Sequence, residues 1–168
     1  MSEERAGARH RTVSWDDPAP SAEAAGRLTG LAFLEAIRDG RLPAAPVSQL
    51  VGFTLTEVEP GRVVFECEPS ESQYNPIGGV HGGVISTLLD SALSCAVHTT
   101  LPAGTAYTTA ELKINFVRPV VVGTGRLRAE GRVIHAGSRL ATADARLTDL
   151  AGKLYAHAVG TCLILTPR

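Results

Sequence analysis

The chain has 168 residues, the length of one domain, with 44% hydrophobic residues to furnish a core and a formal net charge of −1. So even a balance gives no electrostatic reason to expect nucleic acid or an anionic membrane as partner. No apolar run reaches bilayer-spanning length, and the charged N-terminus Met1-Ser-Glu-Glu-Arg-Ala-Gly-Ala-Arg-His10 lacks the apolar stretch of a signal peptide.

Residues 1–20 are polar, include Pro18 and Pro20, and read as a flexible arm carrying the single tryptophan, Trp15. Residues 21–46 read as a helix and its connector. Ser21 is the expected N-cap, Glu23 lies in the first turn, and Leu28, Leu31, Leu34 (or Phe33) and Ile37 form the helical face. Gly40 ends the helix, and Pro43 and Pro46 lead into the main domain, residues 47–168. This N-terminal helix is expected to cover or extend the fold.

From Val47 the pattern turns to period two. A first strand carries Phe53 and Leu55, Pro60-Gly61 makes a turn, and a second strand points Val63, Phe65 and Cys67 to one face. A loop over 69–80 leads into a buried helix running to about Thr99, with Val84, Ile85, Leu88, Leu89, Ala92, Leu93, Ala96 and Val97 at three- and four-residue steps. Strands follow over 106–118, 124–135, from Ala141 to Leu147, and from Leu154 to Leu165, with turns at 135–139 and 149–153. Arg126, Arg128 and Arg132 read as a solvated strand face, and the inward set Ala141, Ala143, Ala145 and Leu147 is small enough for a helix to pack closely. Two strands, a long helix and four antiparallel strands make an α+β domain in which a sheet curls around one central helix.

The helix start holds the chemistry. Gly78, Gly79, Gly82 and Gly83 let backbone approach a ligand, and the free N–H groups of a helix N-terminus suit a carbonyl oxygen gaining charge. Gly83, Thr87, Asp90 and Ser94 share one polar stripe on an otherwise apolar helix, so Asp90 is a carboxylate in need of a partner or a use. Asn75 supplies an amide ahead of the glycines. Nucleophile motifs and a P-loop are missing, and His10, His81, His98, His135 and His157 lack metal-ligand spacing, so no metal and no cofactor are expected. Three cysteines in a chain with no export signal point to reduced thiols and a cytoplasmic protein, with Cys95 read as a core residue.

Asn75-x-x-Gly-x-x-His81-Gly-Gly with a carboxylate nine residues after the histidine, followed by Thr109-Ala-Glu-Leu-Lys-Ile-Asn-Phe-Val-Arg-Pro119, resembles the PaaI-type branch of the hotdog-fold acyl-CoA thioesterases over residues 47–166. The resemblance implies a hotdog fold with an N-terminal helical extension and hydrolysis of an acyl-CoA, with CoA present only as part of the substrate. It implies that the Gly82 N–H polarises the thioester carbonyl while Asp90 acts as general base or nucleophile. Asn75 orients water or the carbonyl, and Ser94 and Thr109 (or its neighbour Thr108) help hold the water. His81 acts directly or holds Asn75 and its loop, and Gly83 lies against the substrate.

Gly82 and Asp90 are eight residues apart, about 12 Å along a straight helix. Either Asp90 is not catalytic or two chains share a site, and the family resemblance favours the second, as a homodimer or a dimer of dimers. Arg118, Ser138 and Arg139 are candidates for the CoA phosphates. Leu89, Leu93, Tyr74 and Tyr107 are candidates for the acyl pocket, with aromatic and medium-chain acyl groups both compatible with the family. A non-catalytic acyl-CoA-binding or sensing module is the alternative, against which Asp90, Asn75 and the His-Gly-Gly argue; a hydratase ranks lower.

Overall fold

A computed structural model describes residues 7–165. It contains four helices, α1 (Ala19–Ala25), α2 (Gly30–Arg38), α3 (Pro46–Val51) and α4 (Gly82–His98), and six strands, β1 (Phe53–Glu59), β2 (Arg62–Cys67), β3 (Ala106–Phe116), β4 (Leu127–Ala136), β5 (Leu140–Asp149) and β6 (Leu154–Leu165). The strands form one antiparallel sheet in the order β1-β2-β4-β5-β6-β3. The chain leaves α4 for the far edge, lays down β3, and then fills the middle of the sheet. This is the hotdog arrangement, with α4 lying across β2, β4, β5 and β6.

Alternation decides which side chains meet α4. Val63, Phe65 and Cys67 from β2, Leu127 and Ala129 from β4, and Ala141, Ala143, Ala145 and Leu147 from β5 are all buried, against Leu88, Leu89, Ala92, Leu93 and Ala96 of the helix. The helix comes closest at Gly131. A Cβ there would sit 2.1 Å from the Ala92 carbonyl oxygen, so the β4–α4 contact requires glycine. In β1 a bulge between Leu55 and Glu57 changes the buried set from Phe53 and Leu55 to Val58. Glu57 is thereby turned to the outer face, where it accepts from Arg62 at 2.7 Å and pairs with Arg128, while Glu130 joins Arg62 and Arg132. Of the arginines expected on a solvated face, Arg126 and Arg132 are exposed, while Arg128 reaches across to Glu57 of β1. The Arg62 and Arg128 guanidiniums hold the Glu57 carboxyl below the usual glutamate range, led by the Arg62 hydrogen bond.

The N-terminal region differs from the single helix expected over its length. It forms α1 and α2, broken at Gly26–Thr29, then α3. Pro18, not Ser21, stands at the N-cap of α1; the Ser21 hydroxyl instead donates to the Pro43 carbonyl at 2.7 Å. Thr29 takes extended backbone and caps α2 by accepting from the Ala32 N–H. The break follows from docking. The Gly30 N–H donates to the Leu101 carbonyl, and a Cβ at Gly30 would overlap the His98 carbonyl, so α2 must begin anew where it meets the end of α4. Helix α3 arises in the proline connector, with Pro46 at its first turn and Gly52 (φ +91°) closing it.

Residues 7–18 have no helix or strand, yet Arg9 pairs with Glu71, and Arg11 donates to the Ser72 hydroxyl and the Gln49 carbonyl. Trp15 stays 60% exposed. The first six residues of the expected arm lie outside the described region.

Candidate active site

The loop before α4 is shaped by its own side chains. The Asn75 carboxamide oxygen accepts from the N–H groups of Ile77 and Gly79, and the Asn75 N–H donates to the Gly79 carbonyl, closing a tight turn through Gly78 (φ +87°). Asn75 therefore spends its oxygen on the loop and keeps its NH2 group for other work. His81 is the N-cap of α4, its Nδ1 accepting from the Gly83 N–H at 2.8 Å. Its side chain thus holds the helix start, and among the described residues it makes no bond to Asn75. It also occupies the Gly83 donor, so the sequence expectation of substrate contact at Gly83 does not extend to its N–H.

The N–H groups of Val84 and Ile85 both reach back to the His81 carbonyl. Among the described residues the Gly82 N–H makes no hydrogen bond, leaving one free donor at the positive end of a 17-residue helix. Phe116 lies over it, 3.3 Å from where a Gly82 Cβ would be. Arg118, Asn75 and Gly82 share a cleft of about 390 Å3. The Arg118 guanidinium donates to the Leu154 carbonyl there.

Two turns along the same helix, Asp90 accepts a 2.8 Å hydrogen bond from the Thr109 hydroxyl. Of Thr108 and Thr109, Thr109 is the one bonded to Asp90. The bulge between Thr109 and Glu111 sets which β3 side chains face the helix at this point. Ser94, one turn on, is buried on the side of α4 toward Tyr107. Cys95, expected to be a core residue, sits beside Tyr107. Burial, led by desolvation, pushes its thiol up to about 12, so it stays protonated and is no nucleophile. Leu89 and Leu93, proposed for an acyl pocket, are wholly buried against the sheet, and the Tyr74 hydroxyl accepts from the Val122 N–H. Of the four pocket candidates only Tyr107 lines the large apolar cavity, on the side of α4 bearing Ser91, Cys95 and His98.

The phosphate candidates separate. Strand register puts the Ser138–Arg139 turn level with the start of β3 and Arg118 just past its end, ten residues or roughly 33 Å away. Arg118 thus belongs with Gly82, and Ser138–Arg139, both exposed, lie toward the Thr109 end, Thr109 and Ala141 both facing Cys162. Gly82 and Asp90 likewise sit about 12 Å apart on one continuous helix. Among the described residues no three His, Cys, Asp or Glu side chains gather as a metal site would require.

A model of the thioesterase superfamily matches residues 77–156, which carry His81, Gly82, Asp90, Thr109 and Arg118. A Saccharolobus solfataricus protein with a provisional esterase name is 32% identical over 133 residues, covering 79% of this chain and 92% of its own. The chain belongs to the thioesterase superfamily. Human acyl-coenzyme A thioesterase 13 is 32% identical over 105 residues, covering 62% of this chain and 74% of its own. Among solved structures, a phenylacetic acid degradation-related protein of the thioesterase kind from Ralstonia eutropha superposes with a TM-score of 0.70 at 27% identity, covering 77% of this chain and 98% of that one. The PaaI-type resemblance and the thioester hydrolase assignment therefore stand. The superfamily match begins at residue 77 and leaves α1, α2 and α3 outside it.

Proposed function

We propose that the protein is an acyl-CoA thioesterase that releases a free acid and CoA at sites assembled from two copies of the chain. One observation carries the reading: a single helix offers an unpaired N–H at Gly82 and, eight residues on, a carboxylate gripped by Thr109. The two are too far apart to meet one carbonyl within a chain, and both are what thioester hydrolysis uses.

In this reading the thioester oxygen accepts from the Gly82 N–H, and the helix N-terminus stabilises the charge that develops as the carbonyl becomes tetrahedral. The partner's Asp90, fixed by Thr109, either takes a proton from the attacking water or attacks the carbonyl carbon itself. Asn75 lines the same cleft, and its NH2 group orients the carbonyl or the water. His81 acts by holding the helix start, and Ser94 acts through Tyr107. Arg118 beside Gly82, and Ser138–Arg139 toward the Asp90 end, serve the phosphates of CoA from their two chains.

The free edge of β3 and the exposed apolar side chains Ile77, Phe116 and Val117 supply a surface for the two-fold pairing. Val159, Leu163 and Leu165 on the outer face of β6 supply a second surface for pairing dimers. The free thiols of all three cysteines fit the reducing cytoplasm expected from the sequence.

Thiol release from a panel of acyl-CoAs tests the reading. Wild type should release free CoA and Asp90→Asn should lose at least about 100-fold in kcat, the lower end of what a general base contributes. Binding of acyl-CoA without turnover by wild type would instead identify a non-catalytic module.

A further inference from the structure

A cavity of about 430 Å3 lies on the far side of Asp90 from the Gly82 cleft, between α4 and the N-terminal helices. Its floor is Ser91, Cys95 and His98 of α4 with Tyr107 of β3, and its roof includes Phe33 and Ile37 of α2 and Ala44 of the connector. Most of the roof comes from residues 18–49, outside the superfamily match.

We infer that this cavity is the acyl-chain pocket and that the N-terminal helices select a medium-length aliphatic acyl group. The inference rests on the thioesterase reading for the site it adjoins.

Position is the first argument. Ser91 directly follows Asp90, and Tyr107 lies two residues before Thr109, about 7 Å along β3. The pocket therefore begins beside the carboxylate that would face the thioester carbon. Chemistry is the second. The wall is largely apolar, and its polar members are already occupied or uncharged. The Ser91 hydroxyl donates to the Thr87 carbonyl, the Ser48 hydroxyl to the Ala45 carbonyl and the Ser21 hydroxyl to the Pro43 carbonyl. Arg38 is turned out to Asp39. Burial also holds the His98 imidazole neutral, down to about 4, and the Cys95 thiol protonated. No charged group is left over to recognise a charged acyl tail, and the volume is in the range of small-ligand sites.

Length is the third. From Ser91 to His98 the helix rises about 10 Å. A zigzag chain with C–C bonds near 1.5 Å advances about 1.3 Å per carbon, so the floor accommodates on the order of eight carbons. The Phe33 and His98 rings, with centroids 5.3 Å apart, close the end.

The test uses the full chain and acyl-CoAs from acetyl to palmitoyl. Ile37→Trp fills the pocket from α2, and Ala44→Phe fills it from the connector, so that one variant remains informative should the other fail to fold by circular dichroism. Wild type should show kcat/KM at least tenfold higher for octanoyl-CoA than for acetyl-CoA. Each filled variant should lose that preference. Calorimetry on Asp90→Asn separates binding from turnover: octanoyl-CoA should bind at least tenfold tighter than acetyl-CoA, and Asp90→Asn with Ile37→Trp should bind them equally. Equal binding of the two in Asp90→Asn alone, or a preference that survives both filled variants, overturns the pocket assignment. Tighter octanoyl binding with no turnover by wild type upholds the pocket and sinks the hydrolase reading.

Discussion

The Gly82 N–H is the smallest group on which the mechanism depends, and its position allows its deletion, with the Phe116 ring giving way by a few tenths of an ångström. Gly82 is the first residue of α4, and His81 before it has extended backbone (φ −62°, ψ 137°). Proline is favoured at the first helical position and tolerates an extended neighbour before it. Gly82→Pro should therefore keep the helix, remove the donor, and lower kcat by about 100- to 1,000-fold. Steady-state kinetics beside a melting curve check it; unchanged kcat in a folded Gly82→Pro would remove the donor from the mechanism. The residues around it were legible in the sequence to different degrees. Asn75, His81, Gly82 and Asp90 lie within one continuous stretch, so spacing and resemblance located them. The capture of the Gly83 N–H by His81 was hidden, because it depends on a rotamer. The turning of Ser94 toward Tyr107 was hidden too, because it needs a strand from elsewhere in the chain.

Among the elements, the strands were readable because each alternates, and α4 was readable because an apolar stripe recurs over four turns. The N-terminal helix break was not, because the cause lies 68 residues on, where Gly30 meets the His98 carbonyl. The bulge in β1 was equally invisible until Arg62 and Arg128 gathered Glu57 on the outer face. Close packing of α4 on β4 makes its own prediction. Gly131→Ala places a methyl 2.1 Å from the Ala92 oxygen and 2.7 Å from the Leu93 nitrogen, both backbone, so helix and sheet must part. The cost should be about 2 kcal/mol or more, read as a lowered urea midpoint. Gly123→Ala meets no atom within 4 Å and should leave the midpoint unchanged.

Across the whole molecule, buried His98 couples stability to pH. Burial lowers its pKa from 6.5 to about 4, so the folded state resists a proton that the unfolded chain accepts. Its contribution is complete above about pH 6.5 and is lost as pH falls toward about 4, up to about 3 kcal/mol. Urea unfolding at pH 7.5 and 5.5 should show the decline, and His98→Leu should flatten it over that interval, above the range where the carboxylates take up protons.

The central claim is also a claim about the assembly, that Gly82 of one chain works with Asp90 of another. Co-expression of Gly82→Pro and Asp90→Asn chains under two affinity tags tests it most directly. Each variant alone should be nearly inactive on octanoyl-CoA. In a composite dimer the mixed species carries one intact site, from the unaltered Gly82 of one chain and the unaltered Asp90 of the other. Half of randomly paired dimers are mixed, so the pool should regain about one quarter of wild-type activity, and all of it should follow the doubly tagged fraction. A doubly tagged dimer as inactive as its parents would contradict the account.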